Sequence, residues 1–459
     1  MKRTLTLAVW LGLVAIILTG CGGVSSSPGS GGSADKQAQV FVTGEDAPLP
    51  SVVSFYITIN SITLNSSTSA AVVLSQPTTV DFGRLMGMRS LLGFNKIAAG
   101  TYTSATFKLA SPVIYYVDMS TTPPTTGSIK GTLTKSTITV AFPTGSPLTV
   151  DANGLAGLHM DFDLRRSLAV DGGGQITGSV SPTIDISAVS ATEATGQITD
   201  FTGSVVSVNT SANTFVMQGP YGFREVIATN SKTQFNGSYT LGNLPANAVV
   251  SVVGTVQANG SILASAAEVV TTSQAFISGR ILAVSPGPTV TMFVGEELPN
   301  LSPTIPVDSV YSVDLSLVGT YDVCFFDNWF TQQLFNGTSL VVGQRIFVGG
   351  TFQSGAFTPA MVSLRPQGVL GTLVEGSAEI TNPTTNRGSF EMTNDLLLSY
   401  SAGGPFVVNT GSGTAFANVA GLAGLQSAGS ANLVVRGLVF QDPNTLKPVV
   451  WAGWVGVLP

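Results

Sequence analysis

The run SFYITINSITL, residues 54–64, decides the fold. Phe55, Ile57 and Ile59 recur at every second position, the period of a strand with one buried face. A helix would space its apolar side chains three and four apart. Ile62 and Leu64 continue the alternation in the opposite phase. A phase change inside one strand would turn half its apolar side chains to solvent unless an extra residue restores the face. A β-bulge near Asn60–Ser61 is therefore expected.

The same period recurs outward from this run. STITVAF (136–142) alternates Ile138, Val140 and Phe142, and TIDISAV (183–189) alternates Ile184 and Ile186. Clusters of Gly, Pro, Asn and Thr separate such runs, as turns do. The best short helix candidate is GRLMGMRSLLGF (83–94). The class is all-β.

Beyond residue 194 the chain repeats. GSVVSVNTSANTFVMQG from Gly203, GRILAVSPGPTVTMFVG from Gly279 and GTLVEGSAEITNPTTNRGSFEM from Gly371 share one plan: glycine, apolar strand, turn, second strand. Each unit closes on a hairpin in which a glycine, Gly254, Gly350 or Gly437, follows an apolar strand. The middle unit is longer and carries an insertion. The stretch VSATEATG (189–196) is small and polar and is the expected boundary before the first unit.

The chain begins with Lys2 and Arg3, then an apolar run from Leu5 to Leu18, shorter than the roughly 20 residues of a membrane span. A charged start, a short apolar run and small residues form a secretory signal. Leu18-Thr19-Gly20-Cys21 resembles the lipobox of bacterial lipoproteins. That resemblance implies cleavage before Cys21, acylation of its thiol and amine, and a lipid-anchored cell-envelope protein. Gly22, where an Asp would retain the protein in the inner membrane, implies the outer membrane. Residues 22–36 are rich in Gly and Ser and read as a flexible tether.

Two further resemblances follow. VVSFYITINSITL, FNKIAAGTYTSATFKL and DFDLRRSLAVDGGGQITGSVSPTIDI resemble the recurring parts of a bacterial domain of unknown function that often follows a lipobox. The repeats look like the tandem, OB-like small barrels of bacterial lipoproteins. Together they imply an N-terminal β-sandwich over 37–188 and three barrel modules over 194–272, 273–366 and 367–459. Neither implies a reaction.

Composition narrows the function. The 459 residues carry 19 basic and 25 acidic side chains, net −6, which disfavours nucleic acid as a partner. Charged residues are 10% of the chain, far below the usual quarter, so uncharged polar side chains must cover the surface. With Cys21 acylated, Cys324 is left without an intrachain disulfide partner.

Candidate chemistry is sparse. In GLHMDFDLRR, His159, Asp161 and Asp163 share one strand face, a candidate cation site. Adjacent side chains on that face are about 7 Å apart, wide for shared ligation, so the row reads first as a polar strand face. His159 is the only histidine, and neither a G-x-S-x-G elbow nor a phosphate loop is present. Glu296–Glu297 is the only adjacent Glu pair. VCFFDNWFTQQLF (323–335) concentrates Phe325, Phe326, Trp329, Phe330 and Phe335 in the insertion, either as a small satellite core or as an aromatic platform for a glycan or protein partner. The expectation is a structural or binding protein, without cofactor or metal, anchored to the membrane by lipid. A carbohydrate-active hydrolase and an outer-membrane β-barrel are the alternatives.

Overall fold

A computed structural model describes residues 37–47, 52–85, 88–118, 121, 125–172, 175–193, 196–219, 224–272, 275–298, 305–324, 335–394, 405–442, 444–445 and 448–458. They are nearly all β, with 64% strand and 5% helix, so the period-two reading holds.

The N-terminal region packs two sheets face to face. One orders Ile184–Val189, Leu155–Asp163, Gln37–Ala47 and Ser90–Ala98, with Gln37–Ala47 parallel to Leu155–Asp163. The other orders Thr137–Ala141, Ser104–Asp118, Val52–Asn65 and Ala70–Leu74; Thr78–Asp81 adds to Val52–Asn65, and Thr125–Lys130 to Ser104–Asp118. Phe162 of the first sheet meets Phe55 of the second at 5.3 Å between ring centroids, and Phe82 at 5.0 Å.

The bulge lies where the phase change places it. The register of Val52–Asn65 against Ser104–Asp118 shifts between Ile59 and Ser61. Phe55, Ile57, Ile59, Ile62 and Leu64 are consequently all fully buried, on both sides of the slip. The helix expected over 83–94 is not formed among its described residues. Phe82–Arg84 makes a single 3-10 turn, and Ser90–Ala98 is a strand antiparallel to Gln37–Ala47. Pairing to an open sheet edge outweighs a weak helical pattern interrupted by Gly83, Gly87 and Gly93.

Each following module is a small Greek-key barrel. In the first, Ile198–Asn209 pairs with both Thr214–Gln218 and Val249–Val256. Thr214–Gln218 pairs with Arg224–Ala228, which runs parallel to Ile262–Thr271, and that strand returns to Val249–Val256. The circuit closes in the order first, second, third, fifth, fourth, the order of an OB-like barrel. The last module repeats it with Gln367–Leu373, Arg387–Asn394, Phe406–Thr410, Pro448–Val457 and Asn432–Gln441. In the middle module Ala275–Ser285 pairs with Thr289–Leu298 and Arg345–Gln353, and Thr320–Val323 makes the parallel pairing with Ala356–Arg365.

The repeated glycines explain how so few strands close. A Cβ built on Gly203, Gly279 or Gly371 would overlap the carbonyl oxygen of Gln218, Phe293 or Thr393 on the second strand. One built on Gly254, Gly350 or Gly437 would overlap that of Leu263, Thr358 or Trp451 on the fifth. Register shifts fall beside Gly254, Gly279, Gly350 and Gly437. These are bends where one backbone crosses close over the next, and only glycine leaves room.

The modules share apolar cores. Phe41, Val189 and Ala191 belong to the core of the first barrel, so the expected boundary at 189–196 does carry buried apolar side chains. Leu438, Phe440 and Val449 of the last module pack into the core of the middle one.

Gly350→Ala should therefore lower stability by about 2–4 kcal/mol, as the large-effect backbone mechanisms do. Gly319→Ala in the same module, whose Cβ meets nothing within 4 Å, should change it by less than about 0.5 kcal/mol. Denaturant melts of the two variants side by side check this; equal stability of both would refute the close-crossing account.

Candidate binding cleft

The row on Leu155–Asp163 takes the faces its alternation dictates. Leu158, Met160, Phe162 and Leu164 are buried, while His159, Asp161 and Asp163 are only partly covered. The His159 Nδ1 lies 3.1 Å from Thr43 Oγ1, and its Nε2 lies 3.7 Å from Glu45 Oε2. Glu45 in turn accepts from Arg89 Nε at 2.8 Å. Burial lowers the His159 pKa, Arg89 lowers it further and Glu45 opposes, so the imidazole is neutral at pH 7. Asp163 caps the short helix Leu164–Ser167 through Arg166 N and pairs with the Arg166 side chain, which also pairs with Asp185. His159 and Asp163 are thus held by separate partners. Among the described residues no group of three or more His, Cys, Asp or Glu side chains is placed to share an ion. Asp46, which the sequence did not single out, is buried one strand away. Its Oδ1 accepts from Leu164 N at 3.4 Å, its Oδ2 has no hydrogen-bond partner among the described residues, and burial raises its pKa well above the usual carboxylate range.

Cys324 sits among buried charges. Arg365 Nη1 of the middle barrel donates to Glu268 Oε2 of the first at 2.6 Å, and Cys324 Sγ donates to the same oxygen at 3.7 Å. The Arg365 guanidinium lies 4.4 Å over the Phe347 ring, and that of Arg345 5.0 Å over it. Such a pair contributes little net stability against an apolar alternative, yet its removal by halves is costly; it joins the first barrel to the middle one. Glu296, one of the adjacent Glu pair, is buried likewise, bonded by Ser278 Oγ at 3.0 Å and paired with Arg84 of the sandwich. The sequence signal for these residues is a lone charge inside an apolar strand, as in AAEVV and VSLRP.

An opening with mixed lining lies between the sandwich and the first barrel. It has a cavity volume of about 130 Å³ and is lined by residues 78–81, 84–85 and 90–94 of the sandwich and by Phe201, Thr202, Gly219, Glu225 and Gly260 of the barrel. Three charged side chains line it. Asp81 is engaged by Ser54 Oγ and by Phe55 N, each at 2.8 Å. Arg84 is paired with Glu296. Glu225 is partly buried and has no ion pair or side-chain hydrogen bond among the described residues, and burial raises its pKa to about 7. Nothing in the local sequence FREVIA marks it, because its setting comes from another module.

Cys21 lies outside the described residues, as do Phe325, Phe326, Trp329 and Phe330. Phe335, at the end of the aromatic run, is buried and meets Tyr321 edge to face at 5.8 Å.

Two predictions follow from these charges. Arg365→Met leaves the Glu268 carboxylate unpaired and should cost about 3–5 kcal/mol, whereas Arg365→Met with Glu268→Gln should recover most of the loss. A thermal melt of the double variant no better than that of the single would refute the docking role. For Glu225, the folded pKa near 7 exceeds the usual value of 4.5, so the fold favours the protonated acid. Stability attributable to this group is full below pH 4.5 and is lost as pH rises through 7. Glu225→Gln should raise the melting temperature at pH 8 and leave it nearly unchanged at pH 4.5; a shift equal at both values would contradict the burial argument.

No curated protein matches the chain at a significant level. Residues 37–177, the sandwich without its last strand Ile184–Val189, match a family model described as a domain of unknown function, DUF4382.

Proposed function

We propose that the chain is a lipid-anchored protein of the bacterial cell envelope, held in the outer membrane through acylated Cys21, with a structural or ligand- or partner-binding role and no catalysis. The observation that carries this is the placement of Cys21 directly behind an apolar run, as Leu-Thr-Gly-Cys, before a Gly/Ser-rich tether. Two acyl chains suffice for stable anchoring where one does not. Docked modules suit a protein that holds a surface away from a membrane: Arg84–Glu296 ties the sandwich to the middle barrel, and Glu268–Arg365 ties the first barrel to it.

The alternatives draw less support. A glycosidase of the usual kind uses two acids about 5–10 Å apart, one of them free to act on substrate and one on water or the sugar. In the cleft Asp81 spends both oxygens on its own sheet. A membrane-spanning barrel turns apolar side chains outward. These modules turn theirs inward, Val205, Phe215 and Val252 in the first, and Phe390, Val408 and Val435 in the last.

Cys21→Ser should move the protein from the membrane fraction to the soluble fraction and block cleavage of the leader by the lipoprotein peptidase. Intact-mass analysis of the wild-type protein should show the acylated cysteine at its N-terminus. A wild-type mass with unmodified Cys21 would overturn the anchoring.

A further inference from the structure

We propose that the cleft between the sandwich and the first barrel binds a small primary ammonium compound, an amino sugar of one ring, with Glu225 pairing with the ammonium and Phe94 and Phe201 walling its carbon skeleton. This rests on the reading of the protein as a binder rather than an enzyme, and it names the chemistry of the ligand.

The charge comes first. Of the three charged side chains lining the cleft, Asp81 and Arg84 are satisfied inside the protein. Glu225 is the one left over, partly buried, with no partner among the described residues. A carboxylate withdrawn from water without a counter-charge loses hydration, and a ligand that brings a cation restores the balance. A neutral ligand would not, and an anion would worsen it. A bare divalent cation fits poorly, since calcium needs six to eight oxygens and magnesium a near-ideal octahedron.

Shape and lining then choose among ammonium compounds. Phe94 lies against Gly260, where a Cβ would come within 3.2 Å of its ring, and Phe201 lies against Gly219, where a Cβ would come within 3.6 Å. Both rings are only partly buried and both line the cleft. Aromatic rings accept the C–H face of a sugar and also favour a nearby ammonium. Thr78, Thr79, Ser90 and Thr202 also line the opening, and of these the hydroxyls of Thr78, Thr79 and Thr202 are hydrogen-bonded within the protein. At about 10–15 Å³ for each water, a volume of 130 Å³ holds on the order of ten non-hydrogen atoms. That is one pyranose ring with its substituents, and less than a disaccharide.

Isothermal titration of the full-length protein in detergent tests this, with glucosamine, glucose and ethanolamine as probes at about pH 7.5. Glucosamine should bind, and glucose at least tenfold more weakly. Glu225→Gln should reduce glucosamine to the level of glucose, and Phe94→Ala should weaken it at least threefold. Because Glu225→Gln removes a burial penalty, loss of binding in that variant would not reflect misfolding, and its melting curve verifies this. Affinity for glucosamine should fall as pH is lowered from 7 to 6 and Glu225 takes up a proton, with Asp81 and Arg84 the other charged groups at the cleft. Glucose binding as tightly as glucosamine, or glucosamine binding unchanged by Glu225→Gln, would overturn the ammonium pairing. Ethanolamine binding as tightly as glucosamine would overturn the sugar as the source of the amine. No binding of any probe up to millimolar concentration would overturn the site. Chemical conversion of a probe would instead overturn the binding reading of the protein as a whole.

Discussion

Close crossing of backbones at paired glycines is the constraint on which the barrels depend. A barrel closed by so few strands must bend each one sharply, and at each sharp bend the chain passes over its neighbour's carbonyl oxygens. Gly203, Gly279 and Gly371 stand at one such crossing in each module, and Gly254, Gly350 and Gly437 at the other. No positive φ is involved at these six positions; what glycine supplies is the missing Cβ. The bulges beside four of them add the local twist that closure requires.

With geometry settled inside each module, the junctions become the remaining problem. The chain has few charges, and it places several of them where modules meet. Glu268 and Arg365 face each other between the first and middle barrels, and Arg84 and Glu296 between the sandwich and the middle barrel. Gln344 Nε2 of the middle module donates to Val439 O of the last at 2.8 Å. Apolar contact alone tolerates sliding, whereas a buried charge or amide must find its one partner. Cores shared across the same junctions supply the area, and the polar contacts select the register.

This arrangement also accounts for the candidate cleft. Two curved bodies docked side by side leave a space between them, and its lining is drawn from both. Of the charges that face it, Arg84 ties the sandwich to the middle barrel, Asp81 is engaged within its own sheet, and Glu225 has no partner among the described residues. Ligand sites at module boundaries arise readily in this way, because neither body alone needs to be concave.

Sequence by itself determined the all-β class, the phase slip at Ile59–Ser61 and the repeat. Each is written in local order: period two is a property of neighbours along the chain, and a glycine at each crossing recurs with the unit. The faces of His159, Asp161 and Asp163 were legible for the same reason, and so was the polar character of that row. What the tertiary structure decided are the facts that join distant residues. The segment 90–98 is a strand because an edge at Gln37–Ala47 was open to it, a partner about fifty positions earlier that no local pattern names. Glu268 and Arg365, nearly a hundred positions apart, meet only once two barrels dock. The environment of Glu225 is set by the sandwich across the cleft, which no local pattern around residue 225 names.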